Sequence, residues 1–243
     1  MSVPDERVPL LDAGLPAGVR GGFTTRAGGR GPAPYDGLNL GDHVGDDPAR
    51  VAAHREALRA AVGAEHLVVG EQVHGADVVE VHGPPAVVPR ADALITAVPG
   101  LALAVVVADC VPVLLADPRA GLVAVAHAGR PGLVAGVVPA VVAALRARGA
   151  QDLVAVLGPS VCGGCYEVPQ AMSDEVAARV PAARARTRRG TPAVDVAAGV
   201  LAQLERLAVP ASRVERCTVE DDDLFSYRRE GRTGRSGGVV VLA

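Results

Sequence analysis

Lysine and tryptophan are both missing from this chain of 243 residues, and aromatic side chains make up only 2% of it. Without an ε-amine, Schiff-base and pyridoxal chemistry and the lysine of a phosphate-binding P-loop are excluded. Every cationic side chain other than histidine is an arginine, whose planar fork suits bidentate recognition of phosphate and carboxylate. So few aromatics leave no platform on which a single nucleic-acid strand would stack its bases. A net charge of −3 gives no electrostatic footprint for nucleic acid or an anionic membrane. The apolar stretches at 101–108 and 111–116 are far shorter than the ~20 residues of a membrane-spanning helix. Four cysteines are too few for a disulfide scaffold, and the segment 1–7 has neither a basic nor an apolar leader region. A cytoplasmic protein with reduced thiols is the expectation.

What the chain does have is apolar mass: 49% of its residues are hydrophobic, mostly Val, Leu and Ala. Val-rich runs favour strands and Ala/Leu/Arg runs favour helices, so an α/β or α+β protein is expected. No repeat and no linker divides the sequence, which predicts a single domain over 1–243. Apolar runs bounded by turn residues predict buried strands at 105–108 and 122–126, with others at 152–157 and 239–242. A helix over 48–62 has Asp47 as its cap and Pro48 at its first position. A second is expected over 133–148, closed by Gly149 and interrupted at Pro139. Two more are expected at 173–179 and 194–207, the latter keeping Val200, Leu201, Leu204 and Leu207 on one face.

Against this background three short segments each present one borderline-soft metal ligand: His74 in Gln72-Val73-His74-Gly75, Cys110 in Ala108-Asp109-Cys110, and His127 in Ala126-His127-Ala128-Gly129. No single loop spans them, so a tertiary fold must bring them together. Two imidazoles and one thiolate leave the fourth position of a tetrahedral zinc open, the pattern of a catalytic site. Cys110 and His127 are expected just past the carboxyl ends of two strands, where open sheets commonly present chemistry.

Three other segments set polar groups among glycines. Thr24, Thr25 and Arg26, with Asn39, Asp42 and His43, suit either a pocket for an anion or sugar or ordinary turns. Cys162 and Cys165 are compatible with a redox pair; only Cys217 remains to complete a cysteine-rich site, which argues against a zinc knuckle. The tail from Phe225 to Arg235 carries four arginines, fit for phosphate or for solvent, and the acidic run from Glu220 to Asp223 reads as a solvated turn.

The ordered set of motifs resembles one family. Phe23-Thr24-Thr25-Arg26, Leu38-Asn39-Leu40-Gly41, His43-Val44-Gly45-Asp46-Asp47, Gln72-Val73-His74-Gly75, Ala91-Asp92-Ala93, Ala108-Asp109-Cys110, His127-Ala128-Gly129, Gly158-Pro159, Tyr166-Glu167-Val168 and Phe225-Ser226-Tyr227 follow the YfiH-like laccase-domain pattern. That family was long labelled multicopper polyphenol oxidoreductase and is regarded as purine nucleoside phosphorylase with adenosine deaminase activity. The resemblance runs from about Gly22 to Leu242 and implies an α+β fold of stacked mixed sheets flanked by helices. It also implies that His74, Cys110 and His127 bind zinc, and that the substrates are purine nucleosides and phosphate. On this reading Arg26 and Asn39, with His43, hold phosphate, and Gln72 and Tyr166 contact the substrate. The acid/base role falls to His43 or Asp109, beside Cys110 at the metal. One departure stands out: the family usually continues His-Ala-Gly with Trp-Arg-Gly, and here Arg130-Pro131-Gly132 follows.

Two other chemistries use the same residues. A Cys110–His127 pair is a nucleophile and base for a hydrolase or deamidase. Copper oxidation of phenols needs more histidines than the six present. A binding protein without turnover is the remaining class.

Overall fold

The computed structural model describes residues 8–243, so the segment read for a leader lies outside it. In chain order the first elements are β1 (Leu10–Asp12), β2 (Val19–Thr24), α1 (Pro48–Ala61), β3 (His66–Val69), β4 (Val78–Glu80) and β5 (Ala93–Thr96). Three seven-residue strands form the centre: β6 (Leu101–Val107), β7 (Val111–Asp117) and β8 (Leu122–Ala128). After them come α2 (Arg130–Ala135), α3 (Val137–Ala147), β9 (Val154–Leu157), α4 (Gln170–Arg179), β10 (Arg184–Arg186) and β11 (Pro192–Val194). The chain closes with α5 (Val196–Arg206), β12 (Ala211–Arg213), α6 (Tyr227–Glu230) and β13 (Ser236–Leu242). Among the described residues no helix is long and apolar enough to cross a membrane.

Two mixed sheets carry the fold. One has five strands in the order β1-β2-β13-β6-β3, the other six in the order β12-β9-β7-β8-β5-β4, and β10 and β11 form a small hairpin. Pairing is antiparallel except for β3–β6, β4–β5 and β9–β12, which are parallel. The two-residue side-chain period explains how the sheets stack. Leu103 and Val105 of β6, Leu114 and Ala116 of β7, Val123 and Val125 of β8, and Val240 of β13 form one cluster between the sheets. The alternate residues Val113, Leu115, Ala124 and Ala126 face outward against α3, α4 and α5. On the far side, Ala102, Ala104, Val239 and Val241 meet Leu58 of α1 with Leu38 and Leu40. The result is helix, sheet, sheet, helix, the expected α+β architecture of stacked mixed sheets with helices outside. Strands buried on both faces read as continuous Val/Leu runs, as the sequence does.

Several boundaries differ from expectation for local reasons. The helix expected over 133–148 is two helices, because Gly136 adopts φ 89° and ψ 38° and serves as the end of α2 and the start of α3. Pro139 interrupts nothing: it is in the first turn of α3, where an N–H would have no intrahelical acceptor. Val194 belongs to β11, and Asp195 caps α5 by accepting the Ala198 N–H at 2.9 Å. The helix expected at 173–179 begins earlier, at Gln170.

Candidate metal centre and its cavity

The chain crosses from one sheet to the other through Ala108-Asp109-Cys110, between the end of β6 and the start of β7. The turn is tight enough to hold Asp109 at φ 92°, a backbone region unusual for a side chain with a Cβ. It is held by the Asp109 carboxylate itself, which accepts Thr218 Oγ1 at 2.7 Å, Ser226 Oγ at 2.6 Å and the Arg228 N–H at 2.6 Å. Asp109 therefore ties Cys110 to the start of α6.

His127 is inside β8, paired opposite Pro112, and not beyond the strand end as expected. Alternation puts it on the same side as Val123 and Val125, so its imidazole caps the layer between the sheets. His74 follows β3 at φ 60° and is exposed. The structure brings the three together: Cys110 Sγ is 3.8 Å from His74 Nε2, and the two imidazole centroids are 4.7 Å apart, nearly perpendicular. All three donor atoms lie within 4.8 Å of one another. Ligands of a tetrahedral zinc, with Zn–S ~2.3 Å and Zn–N ~2.0 Å, stand about 3.5 Å apart, so the donor set fits with small adjustment. Space is kept for an ion at Gly129, where a Cβ would stand 2.7 Å from His74 Cδ2 and 3.1 Å from Cys110 Sγ.

Asp92 organises both histidines, and the sequence reading gave it no role. One oxygen meets His127 Nδ1 at 2.8 Å, which turns Nε2 toward Cys110, and the carboxylate also accepts the N–H groups of Val73, His74 and Gly75 at 3.1, 2.9 and 2.7 Å. A fully buried acid receiving four bonds across two segments is the outer partner that histidine metal ligands ordinarily have. Its one sequence signal was an aspartate between two alanines at the start of an apolar strand.

Burial opposes ionisation of Cys110 and His127, but each stabilises the charge of the other. The thiol falls to about 6, with help from both imidazoles, and His127 rises to about 9, with help from Asp92. Without metal the pair is therefore a thiolate–imidazolium near neutral pH, and an incoming cation must displace the His127 proton. Between pH 6 and 9 metal affinity should thus rise by about tenfold per pH unit, levelling above that range. Protection of Cys110 from alkylation, titrated with zinc at several pH values, measures this; a flat profile would refute it.

The donors open into a cavity of about 390 Å³, within the roughly 300–1,000 Å³ of small-molecule sites. His43, Gln72, Asp109 and Tyr166 line it, as do Arg130, Arg228 and Arg235. Gln72 is braced by exchanging two hydrogen bonds, 2.8 and 2.7 Å, with the Val106 backbone. His43 is lowered by partial burial and by the charge of Arg235, against a partial offset from Asp42. Arg228 stacks 4.9 Å from the Tyr166 ring centroid.

Arg26 and Asn39 are not among the cavity-lining residues. Arg26 is committed to Asp36 and Glu230 and lies over the Phe225 ring, and Asn39 is buried, donating to Asp46 at 2.9 Å and accepting the Arg235 N–H at 2.9 Å. They brace the cavity wall from behind. Of the tail arginines, Arg228 and Arg235 face the cavity, whereas Arg229 bonds the carbonyls of Thr218, Asp221 and Leu224 and Arg232 bonds Tyr35. The acidic run is likewise engaged: Asp221 and Asp223 pair with Arg216, and Glu220 with Arg188.

The comparisons agree with the motif order. The model of the family described as multi-copper polyphenol oxidoreductase laccase matches residues 20–243. A Streptomyces coelicolor protein named purine nucleoside phosphorylase SCO2081 is 56% identical over 232 residues, covering 93% of this chain and 96% of its own. Another of that name, Rv2149c of Mycobacterium tuberculosis, is 52% identical over 92% of each chain. The crystal structure of Neisseria meningitidis NMB0706 superposes with a TM-score of 0.88 at 34% identity, covering 97% of this chain and 99% of that one. That of the Bacillus licheniformis hypothetical protein YfiH gives 0.84 at 28% identity, covering 93% of each chain. By sequence and by fold, then, the chain belongs to the YfiH-like laccase-domain family.

Proposed function

We propose that the chain is a zinc-dependent purine nucleoside phosphorylase, acting on adenosine, inosine, guanosine and methylthioadenosine, that also deaminates adenosine. The observation that carries this reading is the meeting of a two-histidine, one-cysteine donor set with three guanidinium groups in one cavity of nucleoside scale. The name purine nucleoside phosphorylase, borne by relatives more than half identical in sequence, supports the phosphorolysis. Arg228 and Arg235 hold the phosphate, with Arg130 at the rim; Tyr166, Val106 and Val161 form the wall against which the purine rests, and Gln72 lies between. In phosphorolysis a phosphate oxygen attacks the anomeric carbon as the C–N bond breaks, giving free base and ribose-1-phosphate. His43, kept neutral by burial and Arg235, moves the proton that deamination requires, while Asp109 positions Cys110 and Arg228. Zinc bound by His74, Cys110 and His127 would supply Lewis-acid polarisation of the attacking oxygen.

The test is one assay on zinc-loaded protein: adenosine with and without phosphate, products separated by chromatography. Adenine and ribose-1-phosphate should appear only with phosphate, and inosine with or without it; no turnover of any purine nucleoside would sink the proposal. The thiolate–imidazolium pair favours one second reading, a Cys110–His127 hydrolase or deamidase, which predicts a metal-free enzyme inhibited by zinc. Copper oxidation has less support, since His54, His66 and His82 do not line the cavity.

A further inference from the structure

Behind the cavity wall a second set of soft ligands converges. Cys217 was the one cysteine left to complete a site with Cys162 and Cys165, and it stands beside them: the Cys162 N–H points at Cys217 Sγ, 3.4 Å away. The cause is topological. Strands β9 and β12 are parallel neighbours, so their exit loops leave the same sheet edge side by side, and Ser160 and Cys217 bridge between them. A turn in which the N–H groups of Cys165 and Tyr166 both meet the Cys162 carbonyl, at 2.9 and 3.0 Å, folds the first two thiols onto one side. One carboxylate, Glu220, completes the group, and the four donor atoms all lie within 4.8 Å of one another.

We propose that Cys162, Cys165, Cys217 and Glu220 form a second metal site, for a thiophilic divalent cation such as zinc. Three thiolates select a soft or borderline ion over magnesium or calcium. Ligands of a Cys-rich tetrahedral zinc stand about 3.8 Å apart, so closure needs the donors to contract by no more than about 1 Å. The thiols are half-buried and Glu220 is exposed, which leaves a path for the ion. Three thiolates and a carboxylate around a dication leave an excess of negative charge. Arg188 is placed to offset it, donating to Cys165 Sγ at 3.1 Å and pairing with Glu220. As three S–metal bonds form, three S–H protons pass to solvent, so no oxidant or reductant is needed. The site would cross-link the two loops that support the cavity: Val161 and Tyr166 line the cavity, and Thr218 bonds Asp109. None of this depends on the reaction at the other centre.

Cobalt(II) titration of the reduced, metal-free full chain tests the proposal, read by thiolate-to-cobalt absorption and by alkylation mapped to individual cysteines. Two ions should bind per chain, the second protecting Cys162, Cys165 and Cys217, and Cys162→Ser/Cys217→Ser protein should bind one ion while still protecting Cys110. Saturation of the wild-type chain at one ion, with these three thiols still alkylated, would overturn it. That outcome is read on the wild-type protein, so it stands even where the double variant fails to fold.

Discussion

Replacing His127 by alanine should strip the metal from the cavity and lower phosphorolysis by more than about a hundredfold, beyond the upper end for groups that only orient a ligand. The reason is geometric. His127 is the buried donor of the three and the only one that Asp92 grips by its ring, so it is the fixed point on which the centre is built. Asp92→Asn provides a graded comparison. The histidine stays, but the carboxylate that selects its tautomer is lost, and metal affinity should fall by roughly 10–100-fold. Metal content, circular dichroism and turnover measured on the same preparations check both. Full metal occupancy at Cys110 in His127→Ala protein, with turnover retained, would remove the centre from the mechanism.

Arg235→Ala should weaken phosphate use by roughly 30- to 4,000-fold in kcat/KM, corresponding to the ~2–5 kcal/mol lost when one partner of a buried charge pair is truncated. Arg235 is placed for this by its surroundings: Asn39 holds its N–H, and its own guanidinium clasps the carbonyls of Thr233 and Gly234 at 2.9 and 3.0 Å. Arg235→Lys should recover only part of the loss, since an ammonium lacks the planar fork. Arg26→Ala should raise the phosphate KM far less, because its guanidinium is spent on Asp36 and Glu230. Initial rates against phosphate concentration separate the three variants. Equal saturation curves for Arg235→Ala and the wild type would place the anion elsewhere.

The contrast between Arg26 and Arg235 shows what a sequence can carry. Cys110 and His127 were legible because one lies between two long Val/Leu strands and the other within a third, strands whose burial is written in composition. The stacking of the sheets was expected from the family resemblance, composition having indicated only an α/β or α+β protein. Asp92 was not, since nothing near it in sequence reveals that three backbone N–H groups and an imidazole will converge on it. The cation that reaches the cavity could not be chosen from spacing alone: Arg26 lies two residues before Gly28 and Arg235 directly after Gly234, and only tertiary pairing assigns one to Glu230 and the other to the cavity. Cys217 is carried to its partners by the polar three-residue strand β12, too short and too exposed to leave an apolar pattern. Gly136, by contrast, divided a helix at a position where proline drew the attention.

The three donors of the cavity do not come from one sheet. His74 follows β3 of the five-stranded sheet, whereas His127 sits in β8 of the other and Cys110 directly precedes its neighbour β7. A slip of one layer over the other by a single residue step, about 3.3 Å, would carry the His74 imidazole out of range of the thiolate. Sequence drift along the valine and leucine interface is therefore held to a stricter standard than burial: each exchange has to preserve volume and also alignment. Substitutions far from the cavity that leave the protein folded can still silence it, and catalysis becomes a vernier for how well the two layers are registered.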